Sequence, residues 1–214
     1  MGSKNTLVAV GAILAILGSL AWLYFTEFRS GPKANLKPLE TLGAVAAEET
    51  AALLGGQGRV VVVTELIEVQ KNPNLDAQVS GFKAALGKKG GVTLKEVREI
   101  KRPPSDDPRL WPAGQAAQIA QMSEGANATV LLMSLPMQLA REDVAALKGI
   151  KGRLVAVTSQ SATLKPLLQQ GVLHLAIVNR FPPKPAPASG KETPRQWFDR
   201  VYMVVKPDAL GELP

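Results

Sequence analysis

The feature that most constrains the fold of this 214-residue chain is the alternation of apolar runs with segments of helical spacing. The run VVVV at 60–63 contains only β-branched residues, which is typical of a strand buried on both faces of a parallel sheet. Strands that alternate with helices predict an α/β fold with three layers. Comparable strands are predicted at 128–136, 153–159 and 172–179.

Helical segments separate these strands, and they are predicted at 39–55, 76–90, 113–125, 141–149 and 163–171. The segment VTLKEVREI at 92–100 alternates apolar and polar residues, which indicates a strand nearer the sheet edge. VYMVVK at 201–206 is predicted to be the last strand. We therefore expect a Rossmann-like or flavodoxin-like parallel sheet of about five strands plus a C-terminal edge strand.

A charge-free stretch at 7–25 precedes this domain. About 20 apolar residues cross a bilayer core, and aromatic residues favour the membrane interface. The stretch therefore predicts one transmembrane helix, whose anchoring residues include Leu7, Trp22, Tyr24 and Phe25. The alternative is a signal peptide cleaved after Ser19 and Ala21.

The predicted organisation has four parts. They are a short tail (1–6), the transmembrane helix (7–25), a linker (26–38) and a single α/β domain (39–214), which includes a proline-rich bridge (181–194). Positive charges lie on both sides of the predicted span, so charge alone leaves its orientation open.

Composition excludes several function classes. The chain has no cysteine, which excludes a disulfide framework, a thiol nucleophile and a thiolate metal site. Its formal net charge is +7, but Lys and Arg are spread along the chain without interleaved aromatic residues, so no nucleic-acid partner is expected.

Motifs for catalysis, cofactors and metals are also weak. GGQGR at 55–59 precedes a strand, whereas a phosphate-binding loop follows one. The single histidine, His174, falls within a predicted strand and is interpreted as structural. Asp106 and Asp107 have no third carboxylate at ligand spacing. We therefore predict a protein that is not an enzyme and has no cofactor and no metal site.

One long stretch resembles a known family. LLGGQGRVVVVTELIEVQKNPNLDAQVSGFKAALGKKGGVTLKEVREI is similar to the start of the C-terminal lobe of sugar-type (type I) periplasmic substrate-binding proteins of ABC importers. The resemblance extends over about 40–214 and is most specific at NPNLDAQVSGFKAAL. It implies a single membrane-anchored lobe, located outside the cytoplasmic membrane of a bacterium, with the first lobe of the family absent.

The resemblance also implies a ligand face at the carboxyl ends of the strands. The family commonly has Arg at the position of Gln78 and Asp at that of Thr158, so this face is expected to be degenerate and a small-molecule ligand doubtful. The candidate ligand residues are Glu65, Asn74, Asp76, Gln78, Thr158 and Asn179.

Apolar residues around that face suggest a partner. The candidate docking residues are Leu66, Ile67, Trp111, Met137, Phe181 and Trp197, although both tryptophans could instead cover the edge of the core. These observations predict an accessory subunit whose extracytoplasmic domain docks onto a larger complex of integral membrane proteins, such as a transporter or a respiratory or photosynthetic assembly. The alternative is a membrane-tethered binding or sensor protein for a sugar or other small solute.

Overall fold

The structure is a computed structural model that describes residues 15–24, 35–66, 72–88, 90–101, 107, 109–159, 162–187 and 190–213. The chain divides into two units, Met1–Asn35 and Leu36–Pro214. In the first unit residues 15–23 form a helix, α1, with exposed side chains.

The predicted transmembrane helix is only partly described. Trp22 and Tyr24 are exposed, whereas Leu7 and Phe25 lie outside the described residues. No helix within the described part of the chain has both the length and the apolar character that a membrane crossing requires. The membrane anchor therefore stays a prediction.

The second unit contains one six-stranded sheet in the order β2-β1-β3-β4-β5-β6. The first five strands are parallel, and β6 pairs antiparallel to β5. The strands are β1 (Gly58–Leu66), β2 (Val92–Lys101), β3 (Ala128–Leu132), β4 (Arg153–Thr158), β5 (Leu175–Asn179) and β6 (Tyr202–Val205). This arrangement confirms the predicted parallel sheet, its C-terminal edge strand and the edge position of β2, whereas the antiparallel direction of β6 was not predicted.

Helices cover both faces of the sheet. They are α2 (Lys37–Leu53), α3 (Pro73–Leu86), α4 (Gln115–Met122), α5 (Arg141–Lys148), α6 (Leu164–Gln169) and α7 (Pro194–Val201), followed by a short 3-10 turn at Leu210–Glu212. Alternate residues of β1 point to opposite faces. Val60 and Val62 pack with α2, α3 and α7, whereas Val61 and Val63 pack with α4, α5 and α6. Burial on both faces explains the unbroken valine run.

Several predicted boundaries are wrong, among them the start of α3, the start of β5 and the end of β3, which lies at Leu132 and not at 136. Helix α3 begins three residues before the predicted start, because Asn72 caps it and Pro73 occupies the first helical position. Strand β5 begins at Leu175, so His174 precedes the strand and does not lie within it. Gly55 and Gly56 of GGQGR form a turn with φ +65° and +83°, whereas Gly58 already belongs to β1.

Candidate functional site

An open hollow with a volume of about 320 Å³ lies at the carboxyl ends of β1, β3, β4 and β5. We call it the strand-end hollow. In parallel α/β sheets ligands bind at this edge, in the crevice outside the carboxyl ends of the strands. The lining consists of Leu42, Glu65, Asn72, Asn74, Leu75, Gln78, Leu132, Met133, Ser134, Val157, Thr158, Ser159, Asn179 and Tyr202.

The start of α3 supplies three side-chain amides to the hollow. The Oδ1 atom of Asn72 accepts hydrogen bonds from the backbone N–H groups of Asn74 (3.1 Å) and Leu75 (3.3 Å), which fixes the first turn. Gln78 follows one turn later and is half-buried. The sequence of this segment, NPNLDAQ, explains the geometry, because an Asn cap followed by proline is typical of the start of a helix.

The strand ends supply the other polar groups. Glu65 at the end of β1 is 8% exposed, and Asn179 at the end of β5 is exposed. The Thr158 hydroxyl accepts a hydrogen bond of 3.0 Å from the backbone N–H of Leu135. Thr158 therefore also holds the chain that follows β3, which places exposed Ser134 beside the hollow.

Tyr202 forms an aromatic wall of the strand-end hollow. Its ring stacks on Phe198 with centroids 5.7 Å apart and meets Trp197 edge-on at 5.5 Å. Burial raises the pKa of the Tyr202 phenol, so this group is neutral at physiological pH. Tyr202 thus adds an uncharged aromatic residue to the lining, held by its contacts with Phe198 and Trp197.

The chemistry of the strand-end hollow is mostly neutral. The described residues that line it include four side-chain amides, three hydroxyl side chains besides the phenol, one carboxylate and no basic residue. The single histidine, His174, is at the opposite edge of the sheet, where its Nδ1 accepts from the Leu154 N–H at 3.2 Å. A group of metal-ligating side chains is absent from the described residues. The arrangement suits hydrogen bonding to an uncharged polar solute.

The structure places five of the six candidate ligand residues in this hollow. Only Asp76 lies outside the lining, exposed on the first turn of α3. That these residues bind a ligand remains a prediction. Four further polar lining residues are absent from the list of six candidate ligand residues, and they are Asn72, Ser134, Ser159 and Tyr202. Ser134 and Ser159 could have been found from their position after buried strands, whereas the contribution of Tyr202 depends on antiparallel pairing with β5.

The docking prediction is wrong for Trp111. This side chain is 5% exposed within the core, and its Nε1–H donates to the Ser134 carbonyl at 3.3 Å. The proline-rich loop before it favours a surface position, but the indole fills the core beyond the end of β3. The structure therefore supports the alternative in which Trp111 covers the core edge.

The other docking candidates have different environments. Met137 and Phe181 are exposed by 50% and 85%, whereas Leu66 and Trp197 are half-buried. Ile67 lies outside the described residues. Contact of these residues with a partner remains a prediction.

Asp106 and Asp107 precede Trp111, and the structure describes only Asp107, which forms a local ion pair. Both carboxylate oxygens of Asp107 accept from the Arg109 guanidinium, at 3.0 and 2.9 Å, and this interaction lowers the pKa of Asp107. Asp106 lies outside the described residues. The bidentate pair favours the interpretation of this segment as a turn.

Comparisons with known proteins identify the fold. No family model matches the chain. No curated protein matches it either. Solved structures do match, and solute-binding and sugar-binding proteins of ABC transporters are among them.

Three such structures have similar TM-scores, sequence identities and coverages. A solute-binding protein from Burkholderia graminis, in complex with D-arabinose, has a TM-score of 0.51 and 19% identity over 79% of this chain and 60% of its own. AraP, an arabinose-binding protein from Geobacillus stearothermophilus, has a TM-score of 0.51 and 15% identity over 82% and 63%. A sugar-binding protein from Bacillus halodurans has 0.50 and 15% over 80% and 63%. The chain thus spans about three fifths of their length.

Proposed function

We propose that this domain forms one wall of a binding site for a small, uncharged, polyhydroxylated solute of the carbohydrate class. The observation that carries the proposal is the convergence of neutral amide and hydroxyl side chains beside the Tyr202 ring in the strand-end hollow. Solute binding, without catalysis, is the alternative function from the sequence analysis. The similarity to sugar-binding proteins supports it better than the accessory-subunit hypothesis.

The side chains fit the chemistry of a sugar. Each hydroxyl of a buried sugar needs both a donor and an acceptor, and a side-chain amide supplies both. Asn72, Asn179 and Gln78 lie around the hollow, while Leu75 and Tyr202 provide apolar surface for the C–H groups of a ring. The volume of about 320 Å³ is at the lower end of the range for small-molecule pockets, about 300–1,000 Å³.

The openness of the hollow determines the expected affinity. Small-molecule sites usually bury about 70–90% of the ligand surface. The domain supplies a single wall, so tight binding requires a second wall from another protein or a second copy of this chain. The domain by itself is expected to bind weakly, with a Kd of about 1 mM, which corresponds to about −4 kcal/mol.

The cellular context belongs to the same proposal. The charge-free stretch at 7–25 would tether the domain to a bacterial cytoplasmic membrane, with the strand-end hollow on the extracytoplasmic side. There the domain would meet solutes before import and could act with a transporter or a sensor. The exposed side chains of Met137 and Phe181 are the contacts we propose for such a partner.

The test is calorimetric titration of the full chain with D-arabinose and with hexoses, in an uncharged polyoxyethylene detergent. We expect millimolar binding that Gln78→Leu abolishes. The matched control is Gln118→Leu, at an exposed glutamine on α4, which should bind as the unmodified protein does. Absence of binding up to the solubility limit of these sugars, or equal loss in both variants, would contradict the proposal.

A further inference from the structure

A second hollow, of about 300 Å³, lies along the edge strand β6. We call it the β6 hollow. It adjoins the strand-end hollow, and Tyr202 lines both. The other lining residues come from α2, α7, β6 and the chain segments that follow β5 and β6, and the charged ones are Glu49, Arg180, Lys184, Arg195, Asp199, Lys206 and Asp208.

Basic side chains of the β6 hollow fall into two groups. Lys206 pairs with Glu49 at 3.3 Å, and Arg195 pairs with Asp199 at 3.2 Å. Arg180 and Lys184 make no ion pair with any residue in the described part of the chain. These two cations are therefore available to an anion.

Arg180 also contains an unsatisfied donor. Its Nε atom is buried and has no hydrogen-bond acceptor among the described residues. A buried donor of a charged group without an acceptor lowers stability, and such groups usually find a partner. An oxygen atom of a bound ligand would supply the missing acceptor.

The backbone holds both residues in place. The N–H of Arg180 donates to the Val201 carbonyl at 2.7 Å, and the N–H of Lys184 donates to the Arg200 carbonyl at 3.0 Å. Both carbonyls at the end of α7 thus have partners. Arg200 in turn donates to both carboxylate oxygens of Glu192, at 2.8 and 3.0 Å. The backbone of Arg180 and Lys184 is thereby tied to the end of α7, which limits its movement before any ligand arrives.

We propose that the β6 hollow binds a singly charged oxyanion, with Arg180 Nε–H donating to one oxygen and Lys184 supplying a second positive charge. Asp208 lines the same hollow and offsets part of the charge, so basic side chains exceed acidic ones by one. A single negative charge on the ligand matches this excess. A carboxylate and a phosphodiester both have that charge and the acceptor oxygens that a guanidinium favours.

The Arg180 Nε–H group is itself the probe. The full chain is labelled with ¹⁵N and studied in uncharged detergent. The NMR signal of the Arg180 Nε–H group is assigned as the one that is absent from the spectrum of Arg180→Lys. Acetate and diethyl phosphate represent the two oxyanions, acetamide is the neutral control, and ionic strength is held constant with chloride. We expect the signal to shift with acetate, with diethyl phosphate or with both, and to remain unchanged with acetamide. The anion that binds more tightly identifies the ligand as a carboxylate or as a phosphodiester.

Two variants complete the test. Lys184→Gln alters an exposed side chain, and loss of one nearby charge should weaken the binding about two- to fivefold. Arg141→Gln, at an exposed arginine on α5, should leave the binding unchanged. Absence of a shift with both anions, or a weakening in Arg141→Gln equal to that in Lys184→Gln, would overturn the proposal. Sugar titration reports on the other hollow, so failure of one proposal leaves the other intact.

Discussion

Gly43 on α2 lies directly against the backbone carbonyl oxygen of Gln78 on α3, and a Cβ atom at position 43 would collide with it. Gly81 lies against the Glu40 carbonyl in the same way. The two glycines allow the helices to approach backbone to backbone. This contact fixes the position of Gln78 beside the strand-end hollow, so helix packing and the candidate site are directly linked.

The first prediction concerns that contact. Gly43→Ala forces α2 and α3 apart and should lower the free energy of unfolding by about 1–3 kcal/mol, as overpacking generally does. Gly87→Ala is the matched control, because its Cβ would meet only an ordinary contact at 3.4 Å and φ is −62°. The control should be neutral or slightly stabilising. Urea denaturation measures both variants, and equal stability of the two would show that the helices are not closely packed.

The second prediction separates a core tryptophan from a docking tryptophan. Trp111→Ala should lower the free energy of unfolding by about 3–5 kcal/mol, because it leaves a cavity in the core. Trp111→Phe preserves most of the volume but loses the hydrogen bond to the Ser134 carbonyl, so its cost should be about 1 kcal/mol. Chemical denaturation tests this order. A Trp111→Ala domain as stable as the unmodified domain would indicate a surface residue.

The third prediction is a pH dependence that originates at His174. Burial, with a smaller contribution from the charge of Arg153, lowers the pKa of His174 below its ordinary value of about 6.5. Between the folded pKa and 6.5 the unfolded chain binds more protons, so stability rises with pH there. The stabilisation is complete above about pH 6.5 and is lost as pH falls through the folded pKa.

His174→Asn tests this assignment. Asparagine keeps an acceptor for the Leu154 N–H but does not titrate. Thermal unfolding measured across the acidic range should show a flatter dependence for the variant than for the unmodified chain. Identical slopes would mean that another group controls the stability in this range.

The sequence predicted the sheet well because its main signals are local. Valine runs specify buried parallel strands, and the alternation in 92–100 specifies an edge strand. The order of the elements then leaves few topologies. Five of the six candidate ligand residues line the strand-end hollow for the same reason, because residues at or after the carboxyl ends of parallel strands lie at one edge of the sheet.

The errors at the candidate site have a different origin, because they depend on contacts between distant segments. Trp111 follows a proline-rich loop, and only its contact with the chain after β3 shows that it is buried. Tyr202 enters the strand-end hollow through the antiparallel pairing of β6 with β5. The close approach of Gly43 and Gly81 to the facing backbone also cannot be read from helical spacing, because each glycine depends on the position of another helix.

The central claim is that neutral side chains of the strand-end hollow bind a polyhydroxylated solute, and the most direct measurement uses their amide groups. The side-chain NH₂ signals of Asn72, Gln78 and Asn179 are followed by ¹⁵N NMR during titration with D-arabinose. We predict saturable shifts of these three signals with one shared Kd of about 1 mM, while the exposed Gln118 amide remains unchanged. Signals that stay fixed throughout the titration, or that shift no more than the Gln118 amide does, would contradict the account.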